Sequence, residues 1–354
     1  MQNSNKKVMH IGGKSVGRGQ PVFVIAEAGV NHNGKLALAL KLIDAAARAG
    51  ADAIKFQTFR AEQVVVKSGT MAAYQKKNIG KTTSQQDMLR ALELGEPWYP
   101  KLIAHAKRRG IIFLSTPHGG FESVDLLAKY KVPAYKFGSG DLTNLPLLTY
   151  AARLKKPMIV STGMATLAEA REAVRTIRAA GNDKIILLHA TTNYPTPPKE
   201  TNLRAMQALA RLDVLVGYSD HTEGIVATTA AVTLGASMIE KHFTLSRTLP
   251  GPDHAASLEP DELKEMVQAI RTTSQMLGDG IKRPQSSEWD ARKIGRKSIV
   301  TTCAIKKGEP FTKHNLGIKR PGTGIAPSQW EKILGKKAVR TLPAEQSLGK
   351  RDIA

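Results

Sequence analysis

The chain has 354 residues, 42% of them hydrophobic and 23% charged, with a single cysteine, Cys303. That composition excludes a disordered tail protein and a disulfide-stapled miniprotein, and the length predicts about two domains. Lys plus Arg total 52 against 30 Asp plus Glu, a net charge of +22, which admits nucleic acid, anionic membrane or anionic small substrates as partners. Aromatics are only 5% and interleave with no arginine-rich run, so a stacking platform for nucleic acid is not expected.

The first 20 residues are polar and predict a lid or hairpin. Eight short apolar runs follow: PVFVIAEAG (21–29), ADAIKFQTF (51–59), IIFLSTP (111–117), AYKFGSG (134–140), PMIVSTG (157–163), KIILLHATT (184–192), VLVGYSDHT (214–222) and MIEKHFTL (238–245). Each is continuous in apolar character, as parallel strands covered on both faces are. Between them lie helical patterns such as LALALKLIDAAARAGA (36–51), with Gly50 as a stop signal. Eight strand–helix units in about 250 residues predict an α/β fold, a (β/α)8 TIM barrel, with a doubly wound open sheet as the runner-up. A helix is expected over 260–278. The Gly-, Pro- and Ser-bearing stretch after it reads as a linker (283–295), so the barrel domain is assigned to 1–282. From 296 to 354 short strands alternate with KKGE and PGTG turns, the texture of a small separate domain. Of the net charge, +10 falls in residues 290–354, where 15 Lys and Arg meet 5 Asp and Glu.

Chemistry in a parallel barrel sits at the C-terminal ends of the strands. Polar residues gather there in all eight runs: Glu27; Lys55 and Gln57; Ser115 and Thr116; Lys136, Ser139 and Asp141; Ser161 and Thr162; His189, Thr191, Thr192 and Tyr194; Ser219, Asp220 and His221; Glu240 and His242. Burying unpaired charge inside apolar strands is costly, so Lys, Glu and His in these runs call for a reason. Lys55 and Lys136, with hydroxyls from Thr116, Ser139, Ser161 and Ser219, make a cradle for phosphate or carboxylate. A Schiff-base lysine is the alternative, and the abundant hydroxyls favour phosphate. His221 and His242 end consecutive strands and suit a divalent metal such as Mn or Mg, completed by water and substrate oxygens. The pattern is not a closed zinc site. His10, His105, His118 and His314 read as ordinary core or surface residues, while His189 and His254 stay undecided. No Walker loop is present, and the glycines of FGSGD are too few for a dinucleotide fingerprint. No apolar run reaches the roughly 18 residues of a membrane span, and the N-terminus lacks the apolar stretch of a secretory signal. With one cysteine, a cytoplasmic home is expected.

The motifs AEAGVNHNG (26–34), ADAIKFQTF (51–59), YKFGSGD (135–141), STGMAT (161–166), LLHATTNYPTP (187–197), GYSDHTEG (217–224) and EKHFTLSRTLPGPDHAASLEPDEL (240–263) resemble the sialic acid synthase family. The stretch RKSIVTTCAIKKGEPFTKHNLGIKRPGTGI (296–325) resembles that family's C-terminal antifreeze-like (SAF, β-clip) domain. The resemblance implies a TIM barrel followed by the SAF domain, in a domain-swapped homodimer. It implies condensation of phosphoenolpyruvate with N-acetylmannosamine to a nine-carbon ulosonic acid and phosphate, with Mn or Mg as cofactor. Lys55, Thr116, Lys136, Ser139, Ser161 and Ser219 match its phosphoenolpyruvate-binding positions, and Thr192 stands where some members carry an Asn that contacts it. His221 and His242 match the metal ligands, and Glu27 a catalytic glutamate. Gln57, Tyr194, Asp253 and Asn78 match sugar-contacting positions. Arg320 matches an arginine that reaches into the active site of the other protomer to bind the N-acetyl group. Asp141, where a GSGE glutamate is usual, Ala190, where a Cys is usual, and Thr192 are departures. N,N′-diacetyllegionaminate synthases, which use 2,4-diacetamido-2,4,6-trideoxymannose, share the KFQTF, YQ-K-N-G (74–80) and GPDHAASLEP textures almost equally well and are the alternative; pseudaminic acid synthases rank third. A non-catalytic polyanion- or polysaccharide-binding protein is the distant alternative, since binding alone has no need of the strand-end constellation. Neither nucleic acid nor membrane is expected as a partner.

Overall fold

The computed structural model describes residues 8–71, 75, 76, 78 and 84–354. Residues 1–7 of the N-terminal segment, and Tyr74, Lys77 and Gly80 of the 74–80 stretch, lie outside the described residues. Two units are resolved, Met1–Gly278 and Asp279–Ala354.

The first unit begins with an antiparallel hairpin of β1 (Val8–Ile11) and β2 (Lys14–Gly17). Eight parallel strands follow: β3 (Phe23–Gly29), β4 (Ala53–Thr58), β5 (Ile112–Pro117), β6 (Tyr135–Phe137), β7 (Met158–Ser161), β8 (Ile185–His189), β9 (Leu215–Asp220) and β10 (Met238–His242). They are ordered β5-β4-β3-β10-β9-β8-β7-β6. The end strands β5 and β6 also lie side by side, so the sheet closes on itself as a TIM-like barrel rather than an open doubly wound sheet.

Strand periodicity sorts the core into two layers. Phe23 and Ile25, Ala53, Leu114, Ala134, Ile159, Ile186 and Leu188, and Met238 point to the inside and form one buried cluster. Their neighbours one residue along, such as Val24, Ile54, Phe113, Val160, Leu187, Val216 and Ile239, point outward into a larger cluster beneath the helices. The helix Leu36–Arg48 presents Ala39, Leu42, Ile43 and Ala46 to that layer at helical spacing. Gly50, at φ +82°, follows its end as the sequence predicts. Thr166 and Glu169 form a capping box that starts the helix Leu167–Ala179. The helix expected at 260–278 is Pro260–Met276, with Pro260 in its first turn and Leu263, Met266, Val267 and Ile270 buried. Each such apolar side chain contributes roughly 1.5–3 kcal/mol on burial.

The N-terminal segment is a hairpin, and it is not a lid. Met9, Ile11 and Val16 pack into the inner cluster against Phe23, Ala53 and Met238, which sit at the N-terminal ends of their strands. The hairpin thus plugs the bottom of the barrel, opposite the strand ends that carry the polar residues. Asp52 ties this end together, accepting from Lys14, from Arg271 and from the Val24 amide.

The second unit holds a two-stranded antiparallel sheet, β11 (Ser298–Thr301) with β12 (Leu316–Lys319). Ile299, Ile305, Phe311, Leu316, Ile333, Ala338, Leu342 and Leu348 form its core. A short helix, Trp289–Gly295, occupies part of the stretch read from sequence as a linker. Among the described residues, no helix is long and apolar enough to cross a membrane.

Candidate active site

The inward positions change character along each strand. Apolar residues fill the lower layers, and two residues further on come Glu27, Lys55, Thr116, Lys136, Ser161, Ser219 and Glu240, all buried. Register brings them together. Glu27 pairs with Lys55 across β3 and β4, and His242 pairs with Glu27 across β10 and β3. Glu240 faces Ser219 across β10 and β9, and Gln57 faces Thr116 across β4 and β5.

Two lysines and two carboxylates meet at the centre. Lys55 Nζ lies 2.8 Å from Glu27 Oε2 and 3.7 Å from Glu240 Oε2. It also donates to Thr116 Oγ1 at 2.9 Å. Lys136 Nζ lies 3.3 Å from Glu240 Oε1, and Ser219 Oγ donates to the same oxygen at 3.1 Å. Burial pushes the Glu27 carboxyl up, the Glu240 charge adds to that rise, and Lys55 only partly offsets it. Burial also works against the Glu240 charge, yet Lys136 and Lys55 outweigh it and hold that carboxyl low. Burial lowers Lys136. Burial acts the same way on Lys55, but Glu240 and Glu27 overcome it and raise that ammonium. Two ammonium groups and two carboxylates balance one another at this centre. An arriving phosphate or carboxylate would share the ammonium groups, and the carboxyl with the raised pKa is the one placed to take a proton.

Around this centre stand hydroxyls. Ser161 Oγ is buried with no hydrogen-bond partner among the described residues. Ser139 Oγ accepts from the Gly163 amide at 3.0 Å. A Cβ on Gly163 would come within 2.1 Å of Thr192 Oγ1 and 2.6 Å of Ser139 Oγ, so only glycine lets these two hydroxyls converge. Asp141 sits on the turn Ser139–Asp141, 3.7 Å from the His118 ring. Ala190 is buried just past the end of β8.

The two histidines are neighbours, with ring centroids 5.7 Å apart, and Tyr194 packs on both. His221 Nδ1 lies 2.7 Å from the Thr191 carbonyl oxygen. A carbonyl only accepts, so Nδ1 carries the proton and Nε2 keeps its lone pair. Burial lowers His221 to about 4. Burial, with His221 and Lys55 nearby, takes His242 well below its ordinary value, and its Nδ1 is buried without a partner among the described residues. Two neutral imidazoles, one with an orphaned nitrogen, fit a divalent cation. Among the described residues no group of three His, Cys, Asp or Glu could hold such an ion, so water and substrate oxygens would supply the other positions.

Beside His242 opens a cleft of about 260 Å³, whose polar lining includes Gln57, His118, Tyr194 and Asp253. Burial raises the Asp253 carboxyl to about 6. Asn78 Nδ2 donates to the Pro252 carbonyl at 2.7 Å, bracing the Asp253 loop. Arg320 belongs to the second unit, where it is exposed just after β12.

Alternation also sorts out the remaining polar residues. Ser115 faces outward and bonds Thr58, which bonds Tyr99. His189 meets the Thr201 carbonyl and stacks on Tyr218, a structural role. His254 bridges Thr244 and Asn33, pinning the loop that carries Asp253. Two members of the site carry only a weak signal in the sequence. Glu240 shares its face with His242 at a spacing of two, which is that signal. His118, an ordinary residue by its sequence context, follows β5 directly at the strand end and lines the cleft.

The model of the NeuB family matches residues 42–282, and that of the SAF domain matches residues 296–354. The chain belongs to the NeuB family. The N,N'-diacetyllegionaminic acid synthase of Legionella pneumophila is 46% identical over 98% of both chains. That of Campylobacter jejuni is 48% identical over 92% of this chain and 98% of its own. Among solved structures, the N-acetylneuraminic acid (sialic acid) synthetase of Leptospira borgpetersenii superposes with a TM-score of 0.71 at 34% identity, covering 81% of this chain and 95% of that one. Of the candidate site residues, Glu27 precedes the NeuB match and Arg320 falls in the SAF stretch, while the others lie within residues 42–282.

Proposed function

We propose that this NeuB-family chain is a phosphoenolpyruvate-dependent synthase whose acceptor is 2,4-diacetamido-2,4,6-trideoxymannose, giving N,N′-diacetyllegionaminate and phosphate. The observation that carries the reading is the buried convergence of Lys55, Lys136, Thr116, Ser161 and Ser219 beside two neutral histidines. N-acetylmannosamine, the acceptor of a sialic acid synthase, is the second reading. The higher identity to the legionaminate synthases favours the first.

Lys55 and Lys136 hold the phosphate and carboxylate of phosphoenolpyruvate, with Thr116, Ser139, Ser161, Thr192 and Ser219 donating hydrogen bonds. Gln57, Asn78, Tyr194 and Asp253 hold the open-chain sugar, and Arg320 reaches the N-acetyl group from the other protomer of a domain-swapped dimer. His221 and His242 would bind a divalent ion, Mn or Mg, which supplies Lewis-acid polarisation of an aldehyde oxygen. The phosphoenolpyruvate methylene carbon forms the new C–C bond with the aldehyde carbon, whose oxygen takes up a proton. Glu27 orients water toward the cationic middle carbon and accepts a proton from it, as its raised pKa permits. The resulting hemiketal phosphate then breaks its C–O bond, and its hydroxyl proton leaves with the phosphate as the ketone forms. Fixing both substrates at adjacent strand ends supplies the proximity contribution.

The test is phosphate release from phosphoenolpyruvate with manganese and each acceptor in parallel. Dependence on the diacetamido sugar supports the reading, and release with neither acceptor contradicts it. His221→Ala and His242→Ala are expected to lose both turnover and the manganese-induced rise in melting temperature. Full activity in chelator would refute the metal assignment.

A further inference from the structure

The cleft beside His242 has a mixed lining. Gln57, Tyr194 and Asp253 are among its polar residues. Val30, Phe59, Val64, Met88 and Leu92 are among its apolar ones. Val30, Phe59, Met88 and Leu92 belong, with Met71, to an apolar cluster separate from the barrel core. Phe59 follows β4 directly, Val64 ends the helix Ala61–Val64, and Met88 lies in the helix Gln85–Arg90. Packed on one another, Val30, Phe59, Met88 and Leu92 also line the cleft. They face the same space as the groups that hold the reacting sugar.

A polyhydroxylated chain suits such apolar side chains poorly. N-acetylmannosamine carries hydroxyls on C4, C5 and C6, and a hydroxyl set against hydrocarbon gives up water without a replacement partner. A sugar with a methyl at C6 and an acetamido methyl on C4 instead buries carbon against carbon. The Gln85 side chain, in the same lining, offers an amide to pair with an acetamido group.

We propose that Phe59, Val64, Met88 and Leu92 are the specificity-determining wall of the acceptor site and select a 6-deoxy, diacetamido sugar over a polyhydroxylated one. The proposal rests on the synthase reading above. It adds which side chains make the choice, and it assigns them a rejecting as well as an attracting role.

The experiment compares kcat/KM for the two acceptors, at saturating phosphoenolpyruvate, in the wild type, Met88→Gln, Met88→Leu and Val64→Thr. Met88→Gln keeps the volume and adds an amide. Its ratio of diacetamido sugar to N-acetylmannosamine is expected to fall about tenfold, with KM for phosphoenolpyruvate unchanged. Met88→Leu is expected to keep the wild-type ratio. Val64 is 40% exposed, so Val64→Thr, an isosteric exchange, decides the matter should Met88→Gln fail to fold; its ratio is expected to fall roughly threefold. An unchanged ratio in the folded polar variants overturns the wall. A wild type that uses both sugars equally also overturns it while leaving the synthase reading standing. Release with neither sugar overturns the synthase reading beneath it.

Discussion

Lys241 and Lys136 are both ammonium groups buried in the barrel, and the sheet separates them. Lys241, on the outward face, lies 2.6 Å from Asp220 Oδ2 and also donates to the Thr222 carbonyl. Asp220 in turn accepts from Tyr218 at 3.0 Å and from the Thr222 amide at 2.9 Å. That network is closed, and its charges are matched by short bonds. Lys136, on the inward face, reaches Glu240 only at 3.3 Å and shares it with Lys55 at 3.7 Å. The sequence sets the two kinds side by side, Ser219 next to Asp220 and Glu240 next to Lys241, and alternation sends one of each pair inward. A closed ionic network holds strands together. A loosely shared one can exchange a carboxylate for an incoming anion at little cost, because the desolvation is already in place.

The comparison predicts opposite outcomes for two lysine-centred variants. Lys136→Met is expected to lower phosphate release on the order of 10³-fold. Its melting temperature should move little, because Glu240 keeps Lys55 and Ser219. Asp220→Asn, outward, strands the buried Lys241 charge and is expected to cost about 3–5 kcal/mol of stability, with kcat of the folded fraction reduced far less. Parallel phosphate assays and denaturant titrations of both variants check this. A variant that loses both properties equally would erase the distinction between the two faces.

The convergence of hydroxyls sharpens the inward half. Gly163→Ala puts a methyl where Thr192 and Ser139 approach. It should raise KM for phosphoenolpyruvate on the order of tenfold while leaving KM for the sugar near its wild-type value. Initial-rate kinetics with each substrate varied in turn separates the two.

A smaller effect concerns structural histidines away from the ionic centre. Burial lowers His32 and His254 to about 4 from an ordinary value of 6.5. The unfolded chain therefore binds these protons first. The stability they permit is present above pH 6.5 and is lost as pH falls from about 6.5 toward about 4. Denaturant unfolding at pH 7.5 and pH 5 should differ by about 1–2 kcal/mol for His32 alone. Replacing His32 by Gln should shrink the difference.

Much of this molecule is legible in its sequence, and the reason is periodicity. Eight continuous apolar runs ending in polar residues specify a parallel barrel, since both faces of each strand are buried and only the C-terminal ends carry chemistry. A spacing of two then separates Glu27, Lys55, Thr116, Ser219 and Glu240 from their outward neighbours. What resists reading is long-range. That the N-terminal hairpin plugs the bottom depends on Met9, Ile11 and Val16 meeting strand starts distant in sequence. The place of His118 in the cleft, and the apolar wall from Val64 and Met88, depend on how the loops after β4 and β5 carry His118 and two short helices to the cleft. Loops carry no period, so composition alone does not place them.

The most direct test of the synthase account uses phosphoenolpyruvate labelled with ¹⁸O in the bridging position, incubated with the enzyme, manganese and the diacetamido sugar. Collapse of a hemiketal phosphate breaks the C–O bond. The account therefore predicts that the label leaves with inorganic phosphate, seen as an isotope shift in the phosphorus NMR signal, and that its appearance requires the sugar. Label retained in the organic product, or released without the sugar, would mean that Lys55, Lys136 and Glu27 do not serve a condensation at this site.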